Sequence, residues 1–268
     1  MIVTLSKYWR IFLLHAQDAL QYRLRSLIWM SVGLLSVATL LIFWKANLAS
    51  NPGAYAANFE EILSYFVLLL LLGNVVVSHC EGAIAQVDIY RGELAKYLLK
   101  PISYLWLTYN GELVWRLQSG AWGLLVFGIL SLYGLRITIT HSWELLILGV
   151  CSAIVGHFVS YFLTVCLGLC ALWLTSTKGL FELYEMMMLL FAGFMMPLAT
   201  FEDPLRHIAS YSPFAAIVYT PVTILLGNHS VRDAILLVAV QLCWMGLLYL
   251  LYTVIWRKGV RVFTGVGQ

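Results

Sequence analysis

Glu112 and Arg116 stand four residues apart with the acid first, the spacing at which opposite charges pair on one helix face. They lie in a stretch otherwise almost free of charge. A lone charge at mid-bilayer costs about 2.5–3.5 kcal/mol on insertion scales, and pairing near an interface lowers that cost. The two therefore read as a structural ion pair before they read as a binding site. Glu182 and Glu185 open another apolar run. Acids there either stabilise a helix N-terminus or form a negative vestibule that gathers cations. Asn74 and the cluster Met186, Met187, Met188, Met195 and Met196 add polarizable, adaptable side chains. Asn74, Glu182, Glu185 and Met188 together make a candidate route for a ligand, although methionines often only fill gaps.

No catalytic set accompanies them. The chain has no Gly-x-Ser-x-Gly elbow, no His-Glu-x-x-His helix and no Gly-x-x-x-x-Gly-Lys-Ser/Thr phosphate loop. It also lacks the series of buried carboxylates typical of ion-coupled pumps. Cys80, Cys151, Cys166, Cys170 and Cys243 show no Cys-x-x-Cys and no metal-ligand spacing with histidine, so they read as small apolar packers. No metal site is expected. Asn228-His229-Ser230 matches a glycosylation sequon, a weak three-residue pattern.

What positions these residues is a set of six long apolar stretches: 27–44, 62–78, 113–135, 143–173, 181–198 and 234–256. Each meets or nearly meets the roughly 20 residues a helix needs to cross a bilayer. The chain is 62% hydrophobic and 11% charged, against roughly 45–50% and 25% for soluble domains, which excludes a soluble fold. The expectation is an all-α polytopic membrane protein in which residues 1–268 form one domain, because no stretch between spans could hold a second. Lys7, Arg10, Arg23, Arg25, Arg91, Lys96, Lys100, Lys178, Arg257, Lys258 and Arg261 fall on one side of this arrangement. Only Lys45, Arg136, Arg206 and Arg232 fall on the other. By the positive-inside rule both termini are cytoplasmic, in the cell's inner membrane.

Between the spans, four segments stand out. Residues 4–25 read as an amphipathic surface helix, with Leu5, Trp9, Phe12, Ala16, Ala19 and Leu20 on one face, which braces the first span as an elbow. Asp18, Arg23 and Arg25 argue against a cleaved signal peptide. Asn51-Pro52-Gly53 marks an external turn. Residues 81–107 alternate charge with Ile84, Val87, Ile89, Leu94, Tyr97 and Leu98, and Lys100-Pro101 ends the helix. Such a loop is built to dock on something cytoplasmic. In the fourth span, Gly149, Ala153, Gly156, Ser160, Thr164 and Gly168 form a small-residue stripe suited to close helix contact, with His157 beside it as a packing polar group. Residues 199–232 are external yet apolar and hold three prolines. Short re-entrant helices capping the outer side fit them best.

These stretches resemble the membrane subunit of an ATP-binding-cassette exporter of the type-2 permease class, in a branch of short six-span permeases. The match rests on Ala19-Leu20-Gln21-Tyr22-Arg23-Leu24, on Ile89-Tyr90-Arg91-Gly92-Glu93-Leu94 and on Leu99-Lys100-Pro101-Ile102. It continues through Ala192-Gly193-Phe194-Met195-Met196-Pro197-Leu198 with Ser212-Pro213-Phe214, and ends in Gln241-Leu242-Cys243-Trp244 and Trp256-Arg257-Lys258-Gly259. Phe201-Glu202-Asp203 departs from the usual Phe-Pro step. The resemblance implies a coupling helix over 88–98, with Asp88, Ile89, Arg91, Gly92, Glu93 and Leu94, then Lys100 and Pro101, meeting a separate ATPase subunit. It implies an outer gate of Pro197, Phe201, Pro204, Pro213 and Phe214. It further implies two ATPase copies that bind ATP and magnesium, a second permease (identical or a sibling), and no cofactor or nucleic acid on this chain. Small amphiphilic compounds or drugs, cationic ones included, are the expected cargo. Lipid or polysaccharide export is the alternative within transport. A membrane enzyme would need convergent polar residues within the spans, and a membrane scaffold would not need the docking loop.

Overall fold

The computed structural model describes residues 2–21, 23–50, 59–132 and 137–264. The Asn51-Pro52-Gly53 turn and Arg136 lie outside them. All regular structure among the described residues is helical: α1 (Ile2–Gln21), α2 (Arg23–Ser50), α3 (Phe59–Val76), α4 (Glu81–Ala83), α5 (Leu94–Leu98), α6 (Tyr104–Leu132), α7 (Trp143–Leu169), α8 (Lys178–Phe191), α9 (Asp203–Ser210), α10 (Pro213–Ile217), α11 (Tyr219–Leu225) and α12 (Val231–Val262). A π-helical segment, Ile84–Ile89, continues α4, and a 3-10 turn, Cys170–Leu172, extends α7. Polar caps start the helices where the sequence supplies them. Ser142 Oγ accepts from Leu145 N, Ser212 Oγ from Ala215 N, and Ser230 Oγ from Asp233 N. Pro204 and Pro213 occupy the first turns of α9 and α10, where the missing N–H costs nothing.

Among the described residues, three segments are long and apolar enough to cross a membrane: Phe59–Ile89, Trp143–Leu172 and Val231–Val262. The most apolar 18 residues of the first are 56% buried and those of the last 17%, so the α3 crossing lies within the bundle and α12 at its periphery. Lipid explains the exposed apolar side chains such as Ile42, Leu124, Ile154 and Leu250. The core has two layers along α7. With outer and inner naming the two ends as the positive-inside expectation orients them, the outer one gathers Trp44, Phe66, Leu69, Val159, Met188, Ile217 and Val222. The inner one gathers Ile84, Leu94, Tyr104, Tyr161, Leu169 and Tyr252.

The structure differs from the sequence reading in three places. The helix of the fifth apolar stretch ends at Phe191, after 14 residues, and not at 198. Gly193 takes φ +83° there, and Tyr65 Oη donates to its carbonyl at 2.9 Å. A Cβ at that position would strike the Tyr65 hydroxyl, so only glycine fits. Second, residues 81–89 are not a free cytoplasmic loop. Ile84, Ala85 and Ile89 are buried against α7, because Gly168 gives Ile84 room to approach. Third, α1 packs along α6 through a face shifted from the expected one. Tyr8 Oη accepts from Ser103 N, and Gln118 Nε2 donates to Ala19 O, while Trp9 and Leu20 stay exposed.

Candidate functional site

The central crossing is broken. Regular helix stops at Val76, four residues run without it, and helix resumes at Glu81. Bare backbone at membrane depth must be covered by protein, and here α6 and α7 cover it. Arg116 Nη1 donates to the carbonyls of Asn74 (3.2 Å) and Val77, the last turn of α3. His157 Nδ1 lies 3.0 Å from Val76 O, so that nitrogen carries the proton. Ser160 Oγ accepts from Ser78 N at 2.8 Å, and Glu112 Oε1 accepts from His79 N at 3.3 Å. Arg116 Nε meets Glu112 Oε1 at 2.9 Å, with both side chains almost fully buried. One ion pair thus grips both sides of the break: the cation takes the carbonyl end and the anion takes the amide end. This is a clamp.

The α7 stripe receives the two irregular segments in turn. In its outer half, a Cβ at Gly149 would run into Leu225, and one at Gly156 would run into the Ile217 carbonyl. In its inner half, Ser160 meets Ser78, Thr164 Oγ1 meets Cys80 Sγ at 3.2 Å, and Gly168 faces Ile84 and the Glu81 carbonyl. Small residues are required because the neighbouring segments come within the reach of a Cβ, with the Leu225 side chain at Gly149, the Ile217 carbonyl at Gly156, and Ile84 with the Glu81 carbonyl at Gly168.

Beside the clamp lies a cavity of about 330 Å³ between α3 and α8. Asn74, Val77 and His79 line it from one side; Tyr184, Glu185 and Met188 line it from the other. Three of the four candidate route residues therefore meet here. Glu182 does not: it is exposed and pairs with Lys178 at 3.7 Å. Several buried polar atoms at the break have no hydrogen-bond partner among the described residues, namely Glu81 Oε2, Arg116 Nη2 and His157 Nε2. All five cysteines are free, and no cluster of His, Cys, Asp and Glu fit for a metal occurs among the described residues.

The outer cap closes differently. Gln241 of α12 accepts from Ser152 Oγ at 2.8 Å and donates to Ser152 O at 3.2 Å and Ala216 O at 2.6 Å. Trp244 Nε1 donates to Tyr211 O at 2.9 Å. Phe214 sits with its ring 6.4 Å from those of Tyr184 and Phe191, which joins the cap to the cavity wall. Pro197 precedes a 3-10 turn, Leu198–Thr200, and Phe201 packs on Leu198, Ala209 and Ala215; Pro204 is exposed.

A family model described as ABC-2 family transporter protein matches residues 34–267. The chain belongs to the ABC-2 transporter family. Among curated proteins none matches it. Members of the family are membrane permease components that work with an ABC ATPase subunit and are not themselves the ATPase. In this ABC-2 chain, the residues assigned to ATPase contact divide into two groups. Asp88, Ile89 and Leu94 point inward. Asp88 Oδ2 accepts from Tyr104 Oη at 2.5 Å, Tyr104 stacks on Trp256 with centroids 4.9 Å apart, and Leu94 is fully buried. Arg91, Gly92 and Glu93 form the turn at the tip, where Gly92 takes φ +76° and Glu93 pairs with Lys96. Lys100 and Pro101 are exposed. The sequence reading missed Leu99, which is 87% exposed at the end of α5. Its signal was present: Leu99 directly precedes the helix-ending Lys100-Pro101 step, one position past the end of α5.

Proposed function

We propose that this chain is the permease of an ATP-driven exporter that moves small amphiphilic compounds, organic cations above all, out of the cytoplasm or inner leaflet. In this reading the helices make six crossings with both termini cytoplasmic in the inner membrane. Two permeases, identical or siblings, enclose the path, and two ATPase subunits close on ATP and magnesium beneath them. The tip around Arg91, Gly92, Glu93 and Leu99, with Lys100 and Pro101, takes the ATPase contact. Asp88, Ile89 and Leu94 tie that tip to the inner core, so its displacement reaches the clamp. Pro197, Phe201, Pro204, Pro213 and Phe214 act as the outer gate.

The observation that carries the reading is the convergence of Asn74, Glu185 and Met188 on one cavity beside the broken crossing. Its volume and mainly apolar lining suit a small molecule better than a polymer. Glu185 puts a carboxylate on the cavity wall, and Tyr184 and Phe194 offer rings to a cation. Two measurements test this. An ABC ATPase should co-purify with the chain. In vesicles, Glu185→Gln should lower ethidium efflux about tenfold while sparing a neutral dye, since a bond to a charged group is worth about 1.5–3 kcal/mol. Equal loss for both dyes would remove the cation preference, and a chain that exports with no ATPase attached would remove the class.

A further inference from the structure

A second cavity, about 250 Å³, opens between α1 and the segment that leads from α5 into α6. Ile11 and Leu14 of α1 form one apolar wall, and Ile102 and Leu107 form the other. Its polar groups are those of His15, Asp18, Tyr97 and Lys100. Lys100 is exposed and makes no ion pair among the described residues; its ammonium lies 5.7 Å from the centre of the Tyr97 ring. Burial holds the pKa of His15 below its usual value, with Asp18 acting the other way. Outside the cavity, α1 exposes Trp9, Leu13 and Leu20 alongside Lys7 and Arg10. Lys7 lies four residues before Ile11 and seven before Leu14, on the same helix face.

Apolar side chains exposed among basic ones mark a helix at the head-group plane of a bilayer. A cleft on such a helix, with apolar walls and a free ammonium at its rim, has the chemistry of a phospholipid anchor point. We propose that this cleft binds an anionic phospholipid of the inner leaflet, with the phosphate on Lys100 and the glycerol backbone between Ile11, Leu14 and Ile102. The acyl chains run outward over the exposed apolar surface of α1. Asp18 opposes the phosphate and keeps the affinity moderate. The bound lipid bridges α1 to the stretch that carries Leu99 and Lys100, so it holds that stretch at a fixed height against the membrane.

Native mass spectrometry of the detergent-purified chain tests the site without an ATPase or a transport substrate, so its failure would leave the exporter reading standing. The probes are phosphatidylglycerol and phosphatidylcholine at equal concentration, with free glycerol 3-phosphate as competitor. The wild-type chain should retain phosphatidylglycerol preferentially, and glycerol 3-phosphate should not displace it. Lys100→Glu should cut retention about fivefold or more, the worth of a basic residue beside an anionic lipid. Asp18→Asn should raise it. Lys178→Glu makes the same charge change on a different helix and should do nothing. Ile102→Trp fills the cleft without touching its charge and should also abolish retention. Equal retention of the two lipids, displacement by glycerol 3-phosphate, a Lys178→Glu effect equal to that of Lys100→Glu, or an Ile102→Trp chain that still holds the lipid would each overturn the proposal.

Discussion

Two regions of this molecule pack irregular backbone against α7, and they are sealed in opposite ways. The outer cap, from Ala192 to Tyr219, is held by neutral groups: Gln241, Trp244 and Tyr65, each donating to a carbonyl within 3.0 Å. The break in the central crossing is held by an ion pair, with a histidine and a serine. Neutral hydrogen bonds in a dry site are satisfied locally and have little reason to rearrange. A buried ion pair is different, because desolvation nearly cancels its attraction and its worth depends on every neighbouring contact. The inner region also keeps polar atoms without partners, at Glu81, Arg116 and His157. The backbone of the outer cap is therefore anchored, so that a gate there works by side-chain movement, whereas the inner break is built to exchange backbone partners.

The largest test of that contrast is Arg116→Met. It leaves the carbonyls of Asn74 and Val77 and the Glu112 carboxylate without their cation, which costs about 3–5 kcal/mol for a broken buried pair. Thermal unfolding of the purified chain in detergent should show a large drop. Adding Glu112→Gln should restore much of it, because the stranded charge goes. A double variant no more stable than Arg116→Met would show that the pair does not act as a unit.

A smaller loss is expected at the neutral seal. Gln241→Leu is close in volume but strands Ser152 Oγ and the Ala216 carbonyl, at about 1–3 kcal/mol. No partner change rescues it as Glu112→Gln rescues Arg116→Met, since nothing charged is left behind. The same unfolding measurement decides between the two kinds of seal. If both sites lost equal stability and neither could be rescued, the distinction would fall.

Much of this arrangement was legible in the chain. The spacing of Glu112 and Arg116 dictates pairing on one face, and the small-residue stripe from Gly149 to Gly168 dictates close approach by something. Three prolines in an apolar external run dictate short helices. What the sequence concealed was the identity of each partner. Val77-Ser78-His79-Cys80 contains neither proline nor glycine, so nothing local announces a break. The break exists because α6 and α7 satisfy its backbone better than the next helical turn would. In the same way, the alternation over 81–98 marks an amphipathic segment without saying which face meets protein. Ile84, Ile89 and Leu94 go inward into the inner core cluster, and the ATPase-facing candidate Leu99 lies one step beyond the pattern. Leu94→Asp would thus test folding, whereas Leu99→Asp tests contact with an ATPase.

The smallest effect comes from a glycine on the inner side. Gly82 lies in the short α4 turn that restarts the crossing, and a Cβ built there meets nothing within 4 Å. Its φ is not in the left-handed region, so alanine fits the native backbone. Gly82→Ala should therefore raise stability by about 0.4–1 kcal/mol, by removing freedom from the unfolded chain. At Gly156 the same change has the opposite sign, because the Ile217 carbonyl of the cap occupies the space. Paired melting curves for the two variants would show whether slack is confined to the inner break. A gain at Gly82 with a loss at Gly156 places the room to move next to the clamp. A loss at both would mean that the inner segment is packed as tightly as the cap, and the case for a movable break would go with it.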